Sequence, residues 1–248
     1  MITTIGCCDS GLGGMQVVKA LKEAYPNLNI VYIADQSNVP YGEKSIEELN
    51  KYAHAFLDRF RMMGIHEVVV ACNTLCANVI GDVQKEYEDL HIYNIIEPTC
   101  RQLAGHHFQK INVLATPKTV EKHAYLNTLK AFCPETEIHE IPAAKLVPII
   151  ENGCDSDILR KAVESYVSEK ADAWVLGCTH FPLIRPFLEG KGELFDSNQA
   201  VVDLFRDEQI TGEGKMEIYT TKDPARMKES IRTLLGCDYD VKAITLDS

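Results

Sequence analysis

At 248 residues, 46% apolar and 25% charged, the chain has an ordinary soluble composition and enough length for one large α/β unit or two compact ones. A formal charge of −11 excludes a broad nucleic-acid surface, which needs clustered Lys and Arg, but leaves open a small anion held by N–H groups and hydroxyls. No apolar run nears the roughly 20 residues of a membrane helix, and the opening MITTIGCCDSG has neither the charged nor the long apolar region of a signal peptide; no membrane association and a cytoplasmic location are expected.

In chain order, β-branched runs at 3–8, 29–34, 66–71, 91–96, 110–115, 137–141, 173–177, 216–221 and 241–246 read as strands. Several lack strict alternation, as strands buried on both faces of a parallel sheet do. Between them lie helical patterns with explicit signals. Ser45 and Glu48 spell a capping box, Ile46, Leu49, Ala53, Phe56, Leu57, Phe60 and Met63 recur at helical spacing, and Gly64 closes the segment. Asp223-Pro224 opens a late helix that stops before Gly236. The expected fold class is α/β with mainly parallel sheets.

Nine cysteines stand at 7, 8, 72, 76, 100, 133, 154, 178 and 237, an odd number without a CxxC pair, which argues against a disulfide framework or a closed zinc site. Cys7, Cys8, Cys100, Cys133, Cys154 and Cys237 read as buried small hydrophobes. Cys72 and Cys178 differ: each follows an apolar run (VVVACNT, WVLGCTH) and precedes two hydrogen-bonding residues. They lie 106 positions apart, and the same displacement carries Ile5 onto Ile111, Ser10 onto Thr116 and Gly13 onto Thr119. Two similar halves explain this, with the regularity of α/β chains as the alternative. If the halves face one another, the cysteines flank a single pocket at the carboxyl ends of their strands.

Cys72 precedes NTLCANVIGDVQKEY, which reads as a helix, and a thiol at a helix N-terminus is favoured as thiolate. Two equivalent thiols across a cleft suit proton removal from one face of a carbon and delivery to the other. Alone, either cysteine is equally a buried strand-end residue. The turn DSGLGG (9–14) offers N–H groups for a carboxylate or phosphate, or merely lets Asp9 cap a helix; lacking a P-loop lysine, it is a weak nucleotide signal. Pro40-Tyr41-Gly42 presents donors or is an ordinary turn. His180 and Glu151 fit an acid–base pair tuning Cys178, or a satisfied histidine and a solvated helix end.

Together, DSGLGG (9–14), VPYGEKS (39–45), ACNT (71–74), EP (97–98), LATPKTV (114–120), LVPIIENG (146–153), GCTHFPLI (177–184) and DS (196–197) resemble the glutamate racemase family of the aspartate/glutamate racemase superfamily, in the family's order. The resemblance implies two α/β domains related by a pseudo-twofold, 1–96 plus 209–248 and 97–208, with the site between them. It implies metal- and cofactor-independent interconversion of L- and D-glutamate, supplying peptidoglycan. Cys72 and Cys178 would be the acid/base thiols, Asp9 assisting Cys72, and His180, near Glu151, assisting Cys178. Ser10, Pro40, Tyr41, Gly42, Asn73, Thr74, Thr116, Thr119 and Thr179 would hold the substrate. A homodimer is implied by family analogy, and contact with DNA gyrase is compatible with the acidic charge without being indicated by it.

The chain departs from the family at Leu75 and Cys76, where Ala-Ser is usual, at Lys122, which replaces a common serine, and in PAAKLVP, which lacks a cysteine often seen before that segment. Leu75 is bulky enough to reshape a pocket. Rivals therefore stand beside the leading reading: a racemase of aspartate or another small acid, a hydrolase or decarboxylase using Cys178 with His180 alone, and a binding protein without turnover.

Overall fold

The strand runs resolve into two separate parallel sheets in a computed structural model that describes residues 1–153 and 155–246. The strands are β1 (Thr4–Asp9), β2 (Asn29–Ala34), β3 (Glu67–Val70), β4 (His91–Asn94), β5 (Lys110–Ala115), β6 (Glu137–Pro142), β7 (Ala173–Gly177), β8 (Glu193–Phe195), β9 (Met216–Thr220) and β10 (Val241–Ala243). One sheet runs β10-β9-β2-β1-β3-β4 and the other β6-β5-β7-β8, with every ladder parallel. The order β2-β1-β3-β4 thus recurs as β6-β5-β7-β8. Displaced by 106 positions, β1 falls end to end on β5, and the start of β3 falls on the start of β7.

Burial on both faces accounts for the missing alternation. In β5, Ile111, Val113 and Ala115 enter a large core that continues into the six-stranded sheet, while Leu114 enters a smaller core on the opposite face. β7 divides likewise: Ala173 and Val175 go to the large core, Trp174 and Leu176 to the small one. One apolar cluster therefore spans both sheets and fixes how their carboxyl ends meet.

Local signals set most helix limits. Ser45 Oγ accepts the Glu48 N–H at 3.1 Å, and the Glu48 carboxylate accepts the Ser45 N–H at 2.8 Å, closing the capping box of the helix Ile46–Met62. Leu49, Ala53, Phe56, Leu57 and Phe60 are buried as their spacing predicts; Ile46 and Met63, at the two ends, are exposed. Gly64 takes the left-handed conformation that ends the segment. The helix Pro224–Leu235 begins on Asp223, whose Oδ1 accepts the Ala225 and Arg226 N–H groups, and stops at left-handed Gly236.

Some limits differ. The fourth strand stops at Asn94 because its Oδ1 accepts the Ile96 N–H at 2.9 Å, turning the chain into the helix Ile96–Arg101. The last strand covers three residues instead of six, and β8, only three residues long, carries no β-branched signature. The segment after Cys72 is not one helix: it breaks at Val79 into Asn73–Asn78, Ile80–Val83 and a 3-10 turn. Cys7, Cys8, Cys100 and Cys133 are buried as expected, whereas Cys237 is half-buried in the loop after the last helix; Cys154 lies outside the described residues. Among the described residues no helix is long and apolar enough to cross a membrane.

Replacing Ser45 by Ala removes one half of the capping box and is expected to lower unfolding stability by about 1 kcal/mol. Urea-unfolding midpoints measure this, and an unchanged midpoint would show that the cap does not hold the helix.

Candidate active site

The carboxyl ends of β1, β3, β5 and β7 converge on one small cavity of about 20 Å³. Asp9 closes β1 and Ser10 follows it; Cys72, Asn73 and Thr74 follow β3; Thr116 follows β5; Cys178, Thr179 and His180 follow β7. Pro40, Tyr41 and Gly42 and the side chain of Val147 complete the wall. The two cysteines line the same cavity, near enough for charge on Cys178 to help raise the Cys72 pKa. Of the predicted residues, Thr119 and Glu151 stand one layer back. Thr119 Oγ1 shares a 2.9 Å hydrogen bond with Thr116 Oγ1, which in turn lies 3.0 Å from Thr74 Oγ1.

Glu151 is held from three sides. The His180 Nε2 lies 2.6 Å from its Oε1, the Leu12 N–H donates to the same oxygen at 2.6 Å, and the Gln36 amide donates to Oε2 at 3.3 Å. The other ring nitrogen of His180, Nδ1, lies 3.7 Å from Cys178 Sγ. Burial alone would drive the His180 pKa down, but hydrogen bonds to Cys178 and Glu151 and the Glu151 charge outweigh it and hold it well above the usual histidine value. Burial likewise works against ionised Glu151, and the His180 contact overcomes it, placing its pKa below the usual range. The pair is thus favoured as imidazolium and carboxylate.

Asp9 faces the other thiol. Its Oδ2 accepts the Gly14 N–H at 2.7 Å and the Thr179 hydroxyl at 3.0 Å. Burial raises its pKa, against the opposing pull of His180 and these donors. Cys72 caps the helix Asn73–Asn78, yet its thiol pKa is pushed well up, by burial first and then by the Asp9 carboxylate. The Leu75 N–H pulls the other way and loses. The expected thiolate preference at this helix start is therefore overturned by desolvation. Two buried polar atoms here have no partner among the described residues, Asp9 Oδ1 and Asn73 Nδ2: one acceptor and one donor available to a ligand.

The glycine turn does hold carboxylates, but they are the protein's own: Glu151 on the Leu12 N–H and Asp9 on the Gly14 N–H. Its glycines are needed for crowding. A Cβ on Gly13 would lie 2.5 Å from Thr179 Oγ1 and 2.8 Å from the His180 backbone nitrogen, and one on Gly11 would run into the Glu151 carboxylate. Leu75 does not reshape the cavity; it is buried in the core. Cys76 donates to the Val70 carbonyl at 3.1 Å, with its pKa pushed up to about 12 by burial. Pro182 opens a 3-10 segment, Phe181–Phe187, with Pro186 inside it. Among the described residues no three His, Cys, Asp or Glu side chains are grouped to hold a metal ion.

Sequence reasoning missed Val147, Gln36, Thr220 and Tyr125. Thr220, at the end of β9, donates through its hydroxyl to the Gln36 side-chain Oε1 at 3.0 Å, so the returning C-terminal strand braces the residue that braces Glu151. Tyr125 donates to Asn73 Oδ1 at 2.6 Å. These contacts join residues 52 to 184 positions apart, and no local pattern marks them.

Paired, equivalent strand ends thus bring two thiols to one cavity between two parallel sheets. The sequence matches the Asp/Glu/Hydantoin racemase family over residues 14–205, and the chain belongs to that family. It is 34% identical to the glutamate racemase of Aquifex aeolicus, covering 96% of each chain. The solved structure of glutamate racemase from Aquifex pyrophilus superposes with a TM-score of 0.82 at 31% identity, covering 97% of this chain and 98% of that one. That of the Francisella tularensis glutamate racemase in complex with D-glutamate gives 0.88 at 25% identity, over 99% and 98%.

Glu151→Gln is expected to destabilise the fold on the order of 2 kcal/mol, less than full loss of a buried ion pair because His180 can shed its proton. With the His180 pKa raised and the Glu151 pKa lowered, their mutual stabilisation is fully present between the ordinary values of 4.5 and 6.5. It fades below that window as Glu151 protonates and above it as His180 loses its proton. Urea midpoints of both proteins should therefore differ most near pH 5.5 and converge at alkaline pH; a pH-independent difference would contradict the ionised pair.

Proposed function

We propose that this chain is a glutamate racemase that interconverts L- and D-glutamate by proton transfer between Cα and two thiols. The reading is carried by one observation: Cys72 and Cys178, at equivalent ends of β3 and β7, line the same cavity. The glutamate racemases similar over nearly the full chain support the substrate class.

One sulfur, as thiolate, takes the Cα proton; an S–H bond forms, the C–H electron pair stays on Cα, and the other thiol delivers its proton to the opposite face. Polar donors in a closed cavity stabilise the developing negative charge. His180, held by Glu151, serves Cys178 through Nδ1, and Asp9 serves Cys72. The free Asp9 Oδ1 suits an ammonium, and the free Asn73 Nδ2 suits a carboxylate. Ser10, Thr74, Thr116 and Thr179 add hydroxyls, and Pro40, Tyr41 and Gly42 form the wall beside them. Thr119 fixes the Thr116 hydroxyl.

The same reading assigns residues 1–96 with 209–248 to one domain and 97–208 to the other, and makes the product D-glutamate a cell-wall precursor. It also carries the homodimer, which sedimentation would test.

Turnover of either enantiomer in D₂O should place deuterium at Cα of the product. Cys72→Ala and Cys178→Ala should each lower racemisation at least about a hundredfold. Near-normal racemisation in either variant would end the two-thiol reading.

A further inference from the structure

Asn73 follows the first thiol and lines the cavity, and its carboxamide has two unlike ends. Oδ1 accepts the Tyr125 hydroxyl at 2.6 Å, while Nδ2 is buried with no partner among the described residues. We propose that Tyr125 is a positioning residue that locks this carboxamide with its NH₂ as the free end, making Asn73 an obligate donor to a ligand carboxylate. The inference rests on the racemase reading for its substrate and goes beyond it in assigning the lock.

Three features support the lock. Tyr125 is fully buried, and desolvation pushes its pKa well above that of an ordinary phenol, so it keeps its proton and must donate it. The Asn73 carbonyl is the side-chain acceptor placed to receive that proton. Rotating the amide by half a turn would set its NH₂ against the phenol, deprive the phenolic proton of this acceptor in favour of the neighbouring Thr99 hydroxyl, and leave an acceptor oxygen as the free end. An oxygen there repels a carboxylate; an N–H attracts it. The amide's orientation therefore decides the sign of the contact.

The ring is itself fixed by the second half. A Cβ on Gly177 would lie 2.8 Å from Tyr125 Cε2 and 3.2 Å from Cδ2, so the missing side chain just before Cys178 makes the space the ring occupies. Tyr125, on the helix Ala124–Phe132, thus touches the strand that carries one thiol and hydrogen-bonds the residue after the other. A single aromatic side chain ties the two cysteine loops together.

The test is Tyr125→Phe, which keeps the ring and removes the bond. KM for both glutamate enantiomers should rise about tenfold, the worth of one hydrogen bond to a charged group, with kcat within about threefold. In an Asn73→Ala background the same change should move KM less than about twofold, because the partner is already gone. Asn73→Asp, which keeps an acceptor for Tyr125 but offers oxygen to the ligand, should also raise KM at least about tenfold. A lower kcat with unchanged KM, an equal effect in both backgrounds, or an unaltered KM in Asn73→Asp would overturn the lock. Should the unaltered protein fail to racemise glutamate, the racemase reading falls, and neutron-diffraction structures of the unaltered and Tyr125→Phe proteins, which tell the amide NH₂ from its oxygen, decide this inference separately. A rotated Asn73 carboxamide in the variant supports it, and an unmoved one refutes it.

Discussion

The hydrogen bond from Thr179 to Asp9 Oδ2 crosses from one sheet to the other beside the close approach of Gly13 to the His180 backbone nitrogen. Everything in the cavity depends on that approach. Gly11, Gly13 and Gly14 clear space for Glu151, Thr179, His180 and Tyr32, and the Leu12 and Gly14 N–H groups then secure the two carboxylates. The join is polar and buried, so it is specific: displaced by a residue, it would leave desolvated carboxylates without donors. The shared apolar core gives the join its rigidity, and the hydrogen bonds give it its register.

Topological equivalence does not extend to the electrostatics. Cys72 sits beside a carboxylate and Cys178 beside an imidazole that is itself held by a carboxylate. The helix start at Cys72 contributes an N–H, but removing the sulfur from water costs more than that contact returns. Two strand ends of one design therefore set their thiols beside different charged partners.

Much of this was legible in the sequence because it is written locally. The capping box at Ser45, the Gly64 and Gly236 stops and the 106-residue displacement each rest on a few neighbouring residues or one repeated pattern. Both thiols and most of the cavity wall were readable from strand ends followed by polar residues. What escaped was non-local. Gln36, Thr220 and Tyr125 reach the site through tertiary contacts, and neither a glutamine, a threonine nor a tyrosine announces such a role. The glycine turn was seen, but not that protein side chains, rather than a ligand, crowd against it. The short β8 lacked any propensity signal, and desolvation of Cys72 is a property of the finished fold that no spacing encodes.

The return of β9 and β10 to the first sheet has a consequence for biosynthesis. All four strands of the smaller sheet have been synthesised by residue 195, whereas the flank of β2 that pairs with β9 stays bare until residues 216–220 follow. The nascent protein thus carries an open template for mispairing through most of its translation, and Thr220 arrives to steady Gln36 only when that edge is sealed. The brace behind Glu151 is complete only once this late strand is in place, so a product released before it would keep both thiols but lack that support.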